Sequence, residues 1–182
     1  LEQLSDTGLF ALLHEKRRIA EAAFQVLYYR HSPRIHAYCR CVFGDNELTN
    51  DVFQDTFMKF FEAGLQGREV ANVPAYLLMI ARNLCLNAKR NMKPTVSLDD
   101  VQLPSIDPSH EQHEMLQLIM MAMDLLDEDA REAFFLREFN DMSYAEIGAL
   151  LGIREGNARV RVMRARSKVR EILAPYMVEF SA

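Results

Sequence analysis

The sequence predicts an all-α fold of two small helical domains joined by a flexible linker, the second of them a helix-turn-helix domain. Three observations predict it. Apolar residues make up 49% of the 182-residue chain, with only seven glycines and no tryptophan, a composition that suits helices better than a turn-rich sheet. Apolar positions recur at steps of three and four in both halves. One stretch, Asn91 to about His110 (NMKPTVSLDDVQLPSIDPSH), has no such period and gathers Pro94, Pro104 and Pro108 with Ser and Asp, which is linker chemistry. The predicted domains are residues 1–92 and 111–182, with 93–110 as the linker.

In the first half, Ser5 caps a helix through Leu9, Leu12 and Leu13. A second helical pattern, Ala20 to Arg30, carries Ala23, Phe24, Leu27 and Tyr28. Ser32 and Pro33 read as an N-cap and first helical residue of a further helix, which ends near Gly44. Asp45 or Asn46 caps the next segment, whose apolar residues are Leu48, Val52, Phe53, Phe57, Phe60 and Phe61. Gly64 and Gly67 mark its end and a loop, and Pro74 restarts a helix that runs nearly to Arg90.

In the second half a Met- and Leu-rich helix spans Met115 to Leu126, its methionines acting as core filler. Asp127 or Asp129 caps a helix through Ala133, Phe134, Leu136 and Phe139. Ser143-Tyr144-Ala145-Glu146 is a capping box, with serine and glutamate three apart. It opens a short helix carrying Ile147, Leu150 and Leu151. Gly152 allows a tight turn, and a last helix runs from about Glu155 to Leu173.

The short capped helix, glycine turn and basic helix form a helix-turn-helix pattern. Ala158, Val162, Ala165, Val169 and Ile172 make one narrow seam toward the core. Between Arg154 and Arg170 the sequence places seven basic residues against a single acid, Glu155, in a chain whose net charge is −5. An ordinary solvated helix face mixes signs, so the local excess points to phosphate contact. At about 100° per residue, the face opposite the seam presents Gly156, Val160, Met163, Arg164 and Ser167, with Arg159 on its flank. Apolar side chains set outward among arginines suit a major groove, where they meet thymine methyls while arginine reads guanine.

Other chemistry is poorly represented. There is no glycine-rich phosphate loop, zinc signature, paired-carboxylate or nucleophile motif, so neither catalysis nor a cofactor is expected. Cys39, Cys41 and Cys85 read as free packing thiols, because residues two apart on a helix do not face each other. His36 with Cys39 and Cys41, and His110 with His113 and Glu114, are incomplete as metal ligand sets. No apolar run approaches the ~20 residues needed to span a bilayer, and no signal-peptide pattern is present, so a cytoplasmic location without membrane insertion is expected.

LDEDAREAFFLREFNDMSYAEIGALLGIREGNARVRVMRARSKVREIL resembles the fourth conserved region of bacterial sigma factors. DVFQDTFMKFF followed by AYLLMIARNLCLNAKR resembles the second conserved region. Both come in the family's order and cover most of the chain. The resemblance is to the extracytoplasmic-function (ECF) type of the sigma-70 family, and it implies a factor that binds core RNA polymerase and directs promoter-specific initiation. It implies further that Asp51, Gln54 and Asp55 dock on the coiled coil of the largest polymerase subunit, with the flap as a second polymerase contact. Minus-ten bases would be captured by the loop Gly64 to Val73 and by Asn83 and Asn87, with Lys89 and Arg90 on phosphates. Amides suit this work because they both donate to and accept from base edges. Tyr76 either packs the core, the favoured reading, or stacks on a base. The minus-thirty-five element would be read by Arg154, Asn157, Arg159, Val160, Met163, Arg164, Ser167 and Lys168. An anti-sigma protein is implied as a partner beside polymerase and promoter DNA.

Two departures bear on specificity. Gly156-Asn157-Ala158-Arg159-Val160-Arg161 stands where Gly-Thr-Val-Arg-Ser-Arg is usual, so Val160 removes a hydrogen-bonding side chain from the groove face. Met79 stands where arginine is common before IARN. The alternatives are a stand-alone helix-turn-helix regulator and an interaction module that no longer binds DNA. The first half, which resembles a polymerase-binding domain, argues against the former, and the basic face argues against the latter.

Overall fold

The computed structural model describes residues 1–44, 47–91 and 111–177, except the side chains of 111–114, 116 and 177. The chain divides into two compact units, Leu1–Lys93 and Pro94–Ala182. The expected linker and the Asp45 or Asn46 cap lie outside the described residues, as do His110 and the side chains of His113 and Glu114.

Unit 1 holds α1 (Asp6–Ala11), a 3-10 turn (Leu12–His14), α2 (Arg17–Phe43), α3 (Glu47–Leu65) and α4 (Val73–Asn91). Ser5 caps α1 through its hydroxyl, which accepts from Gly8 N at 3.1 Å. The two helices expected either side of Pro33 are one, since α2 runs through it for 27 residues. A mid-helix proline removes one hydrogen bond and crowds the carbonyl four residues back. Here Pro33 and Tyr29 are both exposed, so water can satisfy that carbonyl. Leu27, His31, Ile35, Tyr38 and Cys39 meanwhile form one unbroken buried stripe, and burial outweighs the lost bond. Gly44 ends α2 at φ 75°, a conformation glycine adopts without steric cost.

α3 also outruns its expected end. Gly64 is buried inside it, and Gly67 makes the stop at φ 71°. The loop expected over Gly64–Val73 is therefore only 66–72. Asn72 caps α4 by accepting from Ala75 N at 3.0 Å, with Pro74 in the first turn, where no N–H is needed. Phe24, Tyr28, Phe53, Phe57 and Phe61 interlock where α2 meets α3. His36 closes this cluster edge-on against Phe53. Cys39, Cys41 and Cys85 are all buried, and no group of three metal-ligating side chains converges among the described residues.

Unit 2 holds α5 (Glu111–Asp124), α6 (Glu128–Glu138), α7 (Tyr144–Leu151) and α8 (Glu155–Met177). Asp127 is the cap of α6, accepting from Ala130 N at 2.9 Å. The capping box of α7 forms as expected, and Gly152 takes the left-handed conformation after it at φ 70°. Ala158, Val162, Ala165 and Val169 line the buried seam of α8. Its last buried residue is Leu173 rather than Ile172, which is half-exposed. α8 passes its expected end at Leu173 and carries Pro175 within its last turn. Among the described residues no helix is long and apolar enough to cross a membrane.

Candidate nucleic-acid and polymerase interfaces

Three surfaces collect the residues singled out from sequence. The first is the outer face of α3. Asp51, Gln54 and Asp55 are exposed, while Val52, Thr56, Phe57 and Phe60 on the other side are buried. The Thr56 hydroxyl spends its donor on the Val52 carbonyl at 2.7 Å, so the inner face stays apolar in effect. The sequence reading missed Met58. It lies one turn beyond Gln54 and Asp55 on the same exposed stripe and is 60% exposed, adding an apolar contact to an acidic face.

The second surface is a cleft of about 380 Å³ between the end of α3, the 66–72 loop and α4. Asn83 and Asn87 both line it, as do Tyr76, Arg68, Lys59 and Gln66. Asn83 is exposed and has none of the described hydrogen bonds. Asn87 already accepts from Arg90 Nη2 at 2.7 Å through its amide oxygen. Arg90, expected on phosphate, is thus folded back along α4 in this structure. Tyr76 packs on Phe10 and Phe60, each 6.2 Å away, which agrees with the core reading. Its ring is nonetheless only half-buried, and Arg68 lies over it at 5.2 Å. Nothing local in the sequence marked Arg68, because its partner belongs to the next helix.

The third surface is α8. Gly156, Val160, Met163, Arg164 and Ser167 are all exposed, as are Arg154, Asn157, Arg159 and Lys168. Val160 is 39% and Met163 59% exposed, so both apolar side chains do project outward among the arginines. The basic excess of α8 is partly paired within unit 2. Four of the seven basic residues have acidic partners: Arg161 with Asp129 at 2.9 Å, Arg166 with Glu138 at 2.7 Å, Arg159 with Glu155 at 3.3 Å and Lys168 with Glu171 at 3.1 Å. Asp129 and Glu138 come from α6, outside the window counted in sequence. Glu138 also holds the Arg166 guanidinium above its ordinary pKa through their hydrogen bond. Arg154, Arg164 and Arg170 make none of the described ion pairs, and of these Arg164 stands on the outward face.

The helix-turn-helix is set by backbone chemistry. Ser143 Oγ accepts from Glu146 N at 3.2 Å, and Glu146 Oε2 accepts from Ser143 N at 2.8 Å. The Ser143 hydroxyl also donates to Glu146 Oε2 at 2.8 Å, and the two bonds that Oε2 accepts from Ser143, the backbone one first, hold the Glu146 carboxyl below its ordinary pKa. At the other end of α7, a Cβ on Gly148 would lie 2.9 Å from the Ile153 carbonyl oxygen, so only glycine lets the turn into α8 close this tightly.

Residues 27–94 match the family described as Sigma-70 region 2, and residues 116–169 the family described as Sigma-70, region 4. The chain is 30% identical to RNA polymerase sigma factor CarQ of Myxococcus xanthus, covering 88% of this chain and 94% of that protein. It is 29% identical to ECF RNA polymerase sigma factor SigM of Mycobacterium tuberculosis, covering 83% and 77% respectively. Among solved structures, it resembles the sigma factor RpoE in complex with the anti-sigma factor NepR from Bartonella quintana. That match has 25% identity and a TM-score of 0.64, over 83% of this chain and 96% of that one. CnrH in complex with the cytosolic domain of CnrY has the same fold, with 24% identity and a TM-score of 0.66, over 93% of this chain and 97% of that one.

Proposed function

This chain belongs to the sigma-70 family as an ECF sigma factor, and we propose from that premise how its two units divide the work of promoter-directed initiation. The protein directs core RNA polymerase to promoters. Unit 1 holds the polymerase through the Asp51–Gln54–Asp55 face, with Met58 adding apolar contact, and receives melted minus-ten bases in the cleft of Asn83 and Asn87. Unit 2 reads the minus-thirty-five element through α8. Val160 and Met163 meet thymine methyls there, Arg159 and Arg164 meet guanine edges, and Arg154, Asn157, Ser167 and Lys168 flank them. Strand opening is driven by the free energy of base capture, without nucleotide hydrolysis by this chain. An anti-sigma protein is an expected partner, in line with the RpoE–NepR complex.

The observation that carries this reading is the presence of both sigma regions, in order, in separate compact units of one chain. Arg90, Arg159 and Lys168 each exchange an intramolecular partner for DNA. All three partnerships are on the exposed surface, where such contacts are worth at most about 1 kcal/mol. Run-off transcription with purified core polymerase tests the proposal. The expected result is a discrete transcript that depends on both protein and promoter. Promoter binding by the chain alone, with no transcript in the presence of core, would instead identify a stand-alone regulator.

A further inference from the structure

We propose that Tyr144 is a positioning residue for promoter recognition: its ring, braced by Arg137, holds the Arg159 side chain in the pose from which it meets DNA. The proposal rests on the reading of α8 as the minus-thirty-five reader. Tyr144 is the first residue of α7, directly after the Ser143 cap, so the capping box fixes where its ring begins. Arg137 of α6 donates from Nη1 to the Met142 carbonyl at 2.7 Å, and its guanidinium lies 5.0 Å from the Tyr144 ring centre. From α8, the Arg159 guanidinium lies 5.2 Å from the same centre. Two cations from two different helices therefore meet on one aromatic ring.

The two contacts of Arg159 have different consequences for DNA binding. Glu155 engages an N–H of the guanidinium at 3.3 Å, and that N–H must be released before it can serve a base or phosphate. The tyrosine holds the guanidinium by a ring rather than by a hydrogen-bond acceptor atom, and an arginine stacked on an aromatic ring keeps its in-plane N–H fork for another partner. That fork is what reads guanine O6 and N7. The ring contact can thus persist in the complex, while the Glu155 contact is exchanged. Arg159 is otherwise open to solvent, its side chain 64% exposed. Ordering a long, exposed arginine side chain opposes binding, and ordering it beforehand removes part of that opposition. Neither Arg137 nor Tyr144 lies on the outward face of α8, so a reading confined to the recognition helix overlooks both.

The test is promoter selection by reconstituted holoenzyme from a library randomised in the minus-thirty-five element, with Arg159→Ala, Tyr144→Leu, Tyr144→Phe and the Tyr144→Leu/Arg159→Ala double variant. Tyr144→Leu should lower discrimination roughly two- to fivefold, the scale of one cation–π contact, at the same base pairs that Arg159→Ala relaxes. Tyr144→Phe should keep the preference, and Tyr144→Leu should add nothing once Arg159 is alanine. Should Tyr144→Leu fail to fold, Arg137→Met removes the brace, leaves the ring and should shift the same base pairs. Uniform weakening on all sequences, or a full effect of Tyr144→Leu without Arg159, overturns the proposal. If Arg159→Ala itself leaves the selected sequences unchanged, the reading of α8 fails and the proposal with it. If Arg159→Ala relaxes them and neither Tyr144→Leu nor Arg137→Met does, only the role of Tyr144 is lost.

Discussion

Gly64 packs so closely on Leu13 that a Cβ added to it would lie 2.4 Å from Leu13 Cδ1 and 2.6 Å from Leu13 Cβ. The contact pins α3 to the 3-10 turn, and Leu13 itself is fully buried. Gly64→Ala removes a helix-interior glycine, a gain of about 1 kcal/mol. It also forces Leu13 and its backbone to shift, an overpacking cost of about 1–3 kcal/mol. The expected net result is destabilisation of unit 1, read as a lower urea midpoint. A midpoint equal to or above wild type would show that the 3-10 turn yields without strain.

Reversing charge on the outer face of α3 separates docking from folding. Asp51 and Asp55 are both exposed, so Asp51→Arg with Asp55→Arg should change stability by no more than about 0.5 kcal/mol while abolishing core polymerase binding. Met58→Ala should weaken the same binding less. Native-like circular dichroism together with undiminished affinity for core would remove this face from the interface.

The outward face of α8 predicts which substitutions change sequence preference and which only change affinity. Arg164 makes none of the described ion pairs, and arginine on a guanine edge carries about 1–3 kcal/mol of discrimination. Arg164→Ala should relax one or two upstream base pairs, and Val160→Ser should shift preference without unfolding the unit. Lys168→Ala should weaken all sequences alike and flatten the salt dependence, by an amount reduced by its pairing with Glu171. Identical selected sequences for wild type, Arg164→Ala and Val160→Ser would mean that this face does not read bases.

His31 gives unit 1 a pH dependence of definite sign. The imidazole is buried on α2, and its Nε2 is 2.9 Å from Asp6 Oδ2. Burial penalises the imidazolium, and Arg30 and Arg34 add to that penalty; together they outweigh the pull of Asp6, so the pKa lies below the ordinary histidine value. The unfolded chain then binds a proton that the folded one resists. Stability is full above about pH 6.5 and falls as the solution is acidified through the window below it. Comparing urea unfolding at about pH 7 and pH 5.5 should show a smaller drop for His31→Gln, whose amide can still donate to Asp6. An equal drop in both proteins would assign the acid sensitivity elsewhere.

Local pattern determined much of this protein. Ser5, Ser143 with Glu146, and Gly152 act within three or four residues of themselves, so their roles were legible in order along the chain. The outward placement of Val160 and Met163 was legible too, because helical rotation follows from residue number alone. Asp51, Gln54 and Asp55, singled out from the DVFQDTFMKFF resemblance, lie on the exposed side of α3, away from buried Phe57 and Phe60.

What tertiary structure decided are the places where a partner distant in sequence outweighs a local signal. Pro33 and Gly64 read locally as helix boundaries. The continuous buried stripe of α2 carries the helix through the first, and the fit against Leu13 makes the second a packing residue. The basic excess of α8 was counted along one segment, whereas Asp129 and Glu138 of α6 neutralise Arg161 and Arg166 across the fold. Arg68 over Tyr76, and Tyr144 between Arg137 and Arg159, belong to the same class. A periodicity shows which way a side chain points along its own helix, and only packing shows which other helix supplies its neighbour.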